Sequence, residues 1–304
     1  DKLVTGVQTC ALPIYLRIDQ LSYAVGGDRE HAQRVELGRF LQDAFPEFGL
    51  LDGVEYQRRT AGGDRYGVSL GLMPEHDATF ETGDDFQGAA FYRHDNPESL
   101  GVDWGLGFQK SWHDGQADRD LLVADGGWRP NQASWYWGTA FVDFYSGSDD
   151  KSGAELSELR AGARWSLGRA SGLTADLMHV RWPDIDRWEF TPITASELED
   201  SEVTRVALGG WRDVTDDLRL GARVNWWQDE ESEGPGGELS ADWDELFLGD
   251  GRLSLALFAN DAAFSSVYGA RTTASKPLRT GYLSASWEIA GRPPVRWTLE
   301  ERMA

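Results

Sequence analysis

Arg160, Arg164, Arg205, Arg219, Arg223 and Arg252 each stand on the polar phase of a segment in which polar and apolar residues alternate. Asp103, Asp176, Asp242, Asp244 and Glu288 hold the equivalent places in their own segments. Successive side chains of an extended chain leave opposite faces, so these charged groups project from one surface. Two kinds of chemistry are open to them. A wall of guanidinium groups concentrates anionic solutes against an otherwise acidic molecule. Alternatively, the arginines pair with the carboxylates and form a ladder of ion pairs that fills space.

No other group of residues carries a reaction. The five histidines (His31, His76, His94, His113 and His179) are scattered, and most fall in turns. HExxH, GxSxG, a P-loop and a GxGxxG in strand context are all missing. His179 with Asp176 close by has no serine at matching depth, so no catalytic residue is assigned. Acidic runs at Asp149-Asp150, Asp184 with Asp186, Glu197 to Glu202, and Asp229-Glu230-Glu231-Glu233 suit a hard divalent cation or a solvated surface. Their spacing matches neither an EF-hand nor a nonapeptide calcium repeat, so neither metal nor cofactor is expected. Trp135 and Trp137, in phase with Thr139 and Asp143, could stack on a glycan. Trp112, Trp182 and Trp211 at segment ends, and Trp104, Trp165, Trp226 and Trp287 on the apolar phase, suit an aromatic belt at a membrane interface.

Composition narrows the class. With 29 Lys and Arg against 51 Asp and Glu, the net charge of -22 argues against a nucleic-acid partner. No run of about 18 apolar residues could cross a membrane as a helix. A mean hydropathy of -0.48 still allows a membrane barrel, because only alternate residues of its strands face lipid. Thirty-five glycines and fourteen tryptophans suit a sheet with tight turns and interfacial aromatics.

The elements that must position the charged residues are strands. Val102, Trp104, Leu106 and Phe108 oppose Gly101, Asp103, Gly105, Gly107 and Gln109. Leu218, Leu220, Ala222, Val224 and Trp226 oppose Arg219, Gly221, Arg223 and Asn225. Leu253, Leu255 and Leu257 oppose Arg252, Ser254 and Ala256, with Phe258 breaking the polar phase. Segments 157–167, 66–72 and 281–289 repeat the scheme. Short turns at 61–64, 94–99, 127–131, 168–171, 213–216, 248–251 and 290–294 alternate with longer connections at 74–85, 113–118, 146–153, 183–201, 229–236 and 265–278. About 16 strands follow, with 119–126 the weakest, and the reading is an all-β, antiparallel, up-and-down transmembrane β-barrel.

Val4-Thr5-Gly6-Val7-Gln8-Thr9-Cys10-Ala11-Leu12-Pro13-Ile14 resembles a translated sequencing adaptor, the alternative being a short apolar signal remnant. Residues 1–14 are therefore set aside as a non-native leader, and 15–304 form one domain. Cys10 lies in that leader, which leaves the remainder without cysteine. If short turns lie on one side, the first strand (15–26) starts on the other, and at least one strand is expected upstream. On the same parity the last segment, 295–303, ends among the longer loops without a terminal aromatic. Either a strand is missing downstream or this segment is not a membrane strand.

The alternation, with Val35-Glu36-Leu37-Gly38-Arg39-Phe40 followed by Leu51-Asp52-Gly53-Val54, resembles bacterial porin-like outer-membrane proteins over nearly all of residues 15–304. The resemblance implies an outer-membrane location, with bilayer and lipopolysaccharide as partners and passive diffusion of small hydrophilic, including anionic, solutes. It transfers no catalytic residue. A structural or adhesion barrel with a closed lumen and a soluble extracellular glycan-binding protein are the alternatives. The arginines and acids named first are expected to face the lumen. Leu218, Leu220, Val224, Leu253, Leu255, Leu257, Trp226 and Trp287 are expected to face lipid. A barrel exposes these apolar residues, whereas a sandwich buries them.

Overall fold

The computed structural model describes residues 19–303 except 29, 75–81, 97–99, 146–152, 184–201, 231, 247–249, 262–265, 280 and 292–295. The leader, much of the acidic connections and the start of the expected first strand therefore lie outside the described residues. The strands are β1 (Leu21–Gly26), β2 (Gln33–Leu41), β3 (Leu50–Arg59), β4 (Arg65–Pro74), β5 (Thr82–His94) and β6 (Gly101–His113). Next come β7 (Gln116–Asn131), β8 (Ser134–Tyr145), β9 (Gly153–Ser166), β10 (Ser171–Arg181), β11 (Glu202–Asp213) and β12 (Leu218–Asp229). Last are β13 (Glu233–Glu245), β14 (Gly251–Asn260), β15 (Val267–Leu278), β16 (Gly281–Ala290) and β17 (Arg296–Met303).

Every strand pairs antiparallel with its chain neighbours, giving one 17-stranded up-and-down sheet. Among the described residues β1 and β17 share no pairing, so hydrogen bonds do not close the sheet, and a barrel is compatible with it. None of the described helices is long and apolar enough to cross a membrane. Most strands run 10 to 16 residues, at or beyond the ~9–11 that a tilted strand needs to cross a bilayer.

The sequence reading missed β15 by taking 265–278 as a loop. Its apolar phase reads Tyr268, Ala270, Thr272, Ala274 and Lys276, small or polar after the first residue, so the alternation is faint. The extra strand reverses parity beyond it, so the turn at 290–294 joins the longer connections and β17 runs parallel to β1. The expected loop at 113–118 is a tight turn at Asp114-Gly115, where Asp114 has φ 49°. Loop length therefore does not alternate strictly. One end of the sheet, here the lower end, carries connections such as 60–64, 132–133 and 167–170. The upper end carries 42–49, 146–152 and 182–201.

One face carries apolar rows from β2 to β16. A row of cross-strand partners runs Val35, Tyr56, Val68, Ala90, Phe108, Leu122 and Val142 over β2–β8. Another runs Trp165, Leu173, Gly210, Ala222, Leu239, Leu257, Ala270 and Ile289 over β9–β16. Among the described residues no second layer covers this outer face: Val68, Leu208, Val224 and Leu239 are each more than half exposed. Of the residues expected there, Leu220, Val224, Trp226 and Leu257 are exposed, while Leu218, Leu253, Leu255 and Trp287 are half-buried by lateral neighbours.

The core lies on the other face, against expectation. The inner face is expected to be mainly polar or small, yet Phe91, Leu121 and Val123 are buried there with Ala89. Gln42–Gly49, between β2 and β3, turns inward and lays Phe45 and Phe48 on them, with ring centroids 5.3 Å apart. The inward glycines of β6 make the room. A Cβ on Gly105 would lie 2.7 Å from Phe45 Cζ, and one on Gly107 2.6 Å from Phe48 Cζ. The same packing explains why 119–126 lacks alternation. Leu121 and Val123 face this core while Leu122 and Ala124 face outward.

Candidate functional site on the inner face

The inner face divides into two regions of opposite character. From β2 to β8 it is filled, apart from the lower ends of β7 and β8. Gln42–Gly49 is tied down by Ser69 Oγ donating to Gln42 Oε1 (2.5 Å), Arg93 Nη1 to Ala44 O (3.0 Å) and Gln109 Nε2 to Phe48 O (3.0 Å). Arg93 also bonds Asp125 (3.0 Å), and Arg119 clamps the buried Asp143 with Nε 2.5 Å from Oδ1. Arg34 bridges Glu36 at 2.6 Å and approaches Glu55, a fully buried carboxylate, at 4.0 Å. Burying ion pairs is costly unless each is well bonded. These groups fix the inserted segment in one geometry and leave little space around it.

From β9 to β16 the inner face is open and its charged side chains are exposed. Arg223 reaches Asp176 (3.0 Å) from two strands away, over Ala207 and Gly209 of the intervening β11. Arg252 pairs with Asp244 (2.5 Å), Arg219 with Asp213 (2.7 Å), Arg160 with Glu158 (2.6 Å) and Arg271 with Glu288 (2.8 Å). Arg219, Arg223, Arg252 and Arg271 keep roughly half or more of their side-chain surface open. Exposed pairs of this kind are worth only ~0–1 kcal/mol each, so they line a surface more than they hold it together. Asp242 accepts from Ser254 Oγ (2.5 Å) and lines a 260 Å³ cavity with Asp213, Asp244, Arg219 and Arg252.

All eleven charged residues singled out in the sequence sit on this face by register. Asp103 lies apart from the others, on β6 beside Gly127. Arg164 and Arg205 have no carboxylate within 4.0 Å among the described residues. The ladder therefore forms only in part, and three of its partners, Glu158, Asp213 and Arg271, were not anticipated. Asp213 had been read as the start of a turn, and Arg271 lay in the overlooked β15. Phe258, the break in a polar phase, lies under the Arg271 guanidinium at 5.6 Å.

The tryptophans separate by face. Tyr66, Tyr92, Trp104, Trp128, Tyr136 and Trp165 form an outer row at the lower end of β4–β9. Within it Tyr92 and Trp104 lie 5.2 Å apart, Trp128 and Tyr136 5.2 Å, and Trp165 Nε1 donates to Tyr136 Oη at 2.9 Å. Trp135 and Trp137 point inward instead. Trp137 fills the notch left by Gly162, where a Cβ would lie 2.4 Å from the indole. Trp211, expected in the outer belt, is also inward and lies 4.1 Å beneath Arg219. Near the upper end the outer face carries two ion pairs, Arg39–Asp52 (2.5 Å) and Lys110–Asp120 (2.6 Å).

In the lower turns, Asp64 Oδ1 lies 2.6 Å from His94 Nδ1. Hydrogen bonding from His94, with Tyr92 adding to it, holds the Asp64 carboxyl below the usual carboxylate range. Among the described residues no group of three or more His, Cys, Asp or Glu side chains could hold a metal ion. No family model, curated protein or solved structure matches this chain.

Proposed function

We propose that this chain is the wall of an outer-membrane β-barrel. Small hydrophilic solutes, anions among them, diffuse passively along the hydrated strip of inner face between β9 and β16. One observation carries the reading: apolar side chains stay uncovered on the outer face across the sheet, while guanidinium and carboxylate groups alternate on the inner face. Water gives no reason for so broad an uncovered apolar surface, whereas hydrocarbon does. An arginine facing lipid at mid-depth costs ~2–4 kcal/mol, which favours the observed confinement of arginines to the inner side of the mid-strands. The aromatic row fits the lower interface and the two outer ion pairs the upper one, where long cationic side chains reach the headgroups. Bilayer and lipopolysaccharide are the partners on this reading, with the longer upper connections outside.

The inserted Phe45–Phe48 segment favours a second reading, a structural barrel with a closed lumen. Reconstitution of the folded protein in a planar lipid bilayer decides between them. Discrete conductance steps support passage, and a closed trace overturns it in favour of the structural wall. Protein that stays monodisperse in water without detergent would overturn both and leave the soluble glycan-binding alternative.

A further inference from the structure

We infer that the cavity at the lower end of β7–β9 binds a single-ring sugar acid. It encloses about 430 Å³ and is lined by Arg129, Arg164, Trp135, Asn131, Gln132 and Ser134, among others. That volume falls in the range of small-molecule sites, ~300–1,000 Å³. The binding stands whether or not the inner face conducts.

The charge pattern is the first observation. With 51 acidic against 29 basic residues, most guanidinium groups in this chain should meet a carboxylate. Arg160, Arg219, Arg223, Arg252 and Arg271 on the same face do so. Arg129, Arg164 and Arg205 do not, among the described residues, and of these Arg129 and Arg164 line one cavity. The acidic group on the adjoining strand, Asp103, lies opposite Gly127, deeper along the strand than Gly101, which opposes Arg129. Two unpaired cations in an acidic protein leave a local site for an anion.

The ring is the second observation. Trp135 sits directly across from Arg164 in register, and its indole lies 5.3 Å from the Arg129 guanidinium carbon. It is 39% exposed, so part of its surface remains open to the cavity. Trp137, the other half of the expected stacking pair, is consumed by the Gly162 notch. What remains is one partly exposed indole with Arg129 over the ring and Arg164 opposite it in register, and neutral amide and hydroxyl groups around it. An indole packs on the C–H face of a pyranose, the amides and hydroxyls serve its hydroxyl groups, and an arginine fork fits its carboxylate. A bare anion would leave Trp135 unused, and a neutral sugar would leave the arginines unpaired.

Isothermal titration of the folded protein in detergent with glucuronate, glucose and inorganic phosphate tests this. Glucuronate should bind saturably, with glucose and phosphate each weaker by about tenfold or more. Arg164→Gln and Trp135→Leu should each weaken glucuronate by about tenfold, and Arg169→Gln in the neighbouring turn should leave it unchanged. The site is refuted if glucuronate does not saturate, if glucose or phosphate binds equally well, or if both site variants bind like the parent. Should a variant fail to fold, the three-ligand comparison on the parent still decides.

Discussion

Replacing Val224 by arginine separates a lipid-facing sheet from a water-facing one. Val224 is 61% exposed on the outer face of β12, between Leu208 and Gly237 in register. The path from Leu218 to Val224 covers roughly 20 Å at ~3.4 Å per residue, and a tilt of ~45° turns this into roughly 14 Å along the membrane normal. That is about the midpoint of an apolar band ~25 Å tall, where an arginine costs ~2–4 kcal/mol. In water, the same change at so exposed a position would move stability by only about 0.5 kcal/mol. Asn225, the next residue, faces inward, and Asn225→Arg should cost less than about 1 kcal/mol. Urea unfolding of the protein folded into lipid vesicles, followed by tryptophan emission, measures both. The reasoning fails if Val224→Arg stays within about 0.5 kcal/mol of the parent, or if Asn225→Arg costs as much.

Phe45→Ala and Phe48→Ala remove rings that are 0% and 1% exposed, so each should cost about 3–5 kcal/mol in the same assay. Losses under about 1 kcal/mol would mean that the segment is not docked on the inner face. If the proposed passage conducts, either variant should also raise single-channel conductance by loosening the packed part of the inner face, and an unchanged step size would count against that link. Because the Asp64 carboxyl is held below its ordinary value of 3.8, its stabilisation is complete above that value and is lost as pH falls through the lowered one. Asp64→Asn should therefore flatten the acid limb of the stability profile in thermal unfolding below about pH 4. If the proposed passage conducts, Arg205, exposed on the inner face with no carboxylate within 4.0 Å among the described residues, should bias it toward anions. Arg205→Glu should shift the reversal potential in a salt gradient toward cation preference, and no shift would remove Arg205 from the passage.

Period-two alternation in the sequence was enough to determine strand phase where one phase is apolar and the other polar. The six arginines could be assigned to one face because arginine and the leucines around it fall on opposite parities in β9, β11, β12 and β14. Alternation failed where both phases were alike. In β15 the outer phase is mostly small or polar, and in β7 both phases are apolar, for opposite reasons. β15 faces outward with alanine and threonine, whereas β7 must also serve a core on its inner side. Nothing local distinguishes a solvated connection from Gln42–Gly49, and the glycines that receive it lie some sixty residues later, at Gly105 and Gly107. Ion-pair partners were equally hidden, because a guanidinium reaches across a strand, as Arg223 does to Asp176, and parity says nothing about depth.

A chain by itself decides which way each side chain points, since backbone geometry forces alternate residues apart wherever the strand is extended. What it packs against depends on which strands curve toward one another, and that is set by contacts far apart in sequence. Here those contacts made half of one face a packed interior and left the other half a wet row of charges.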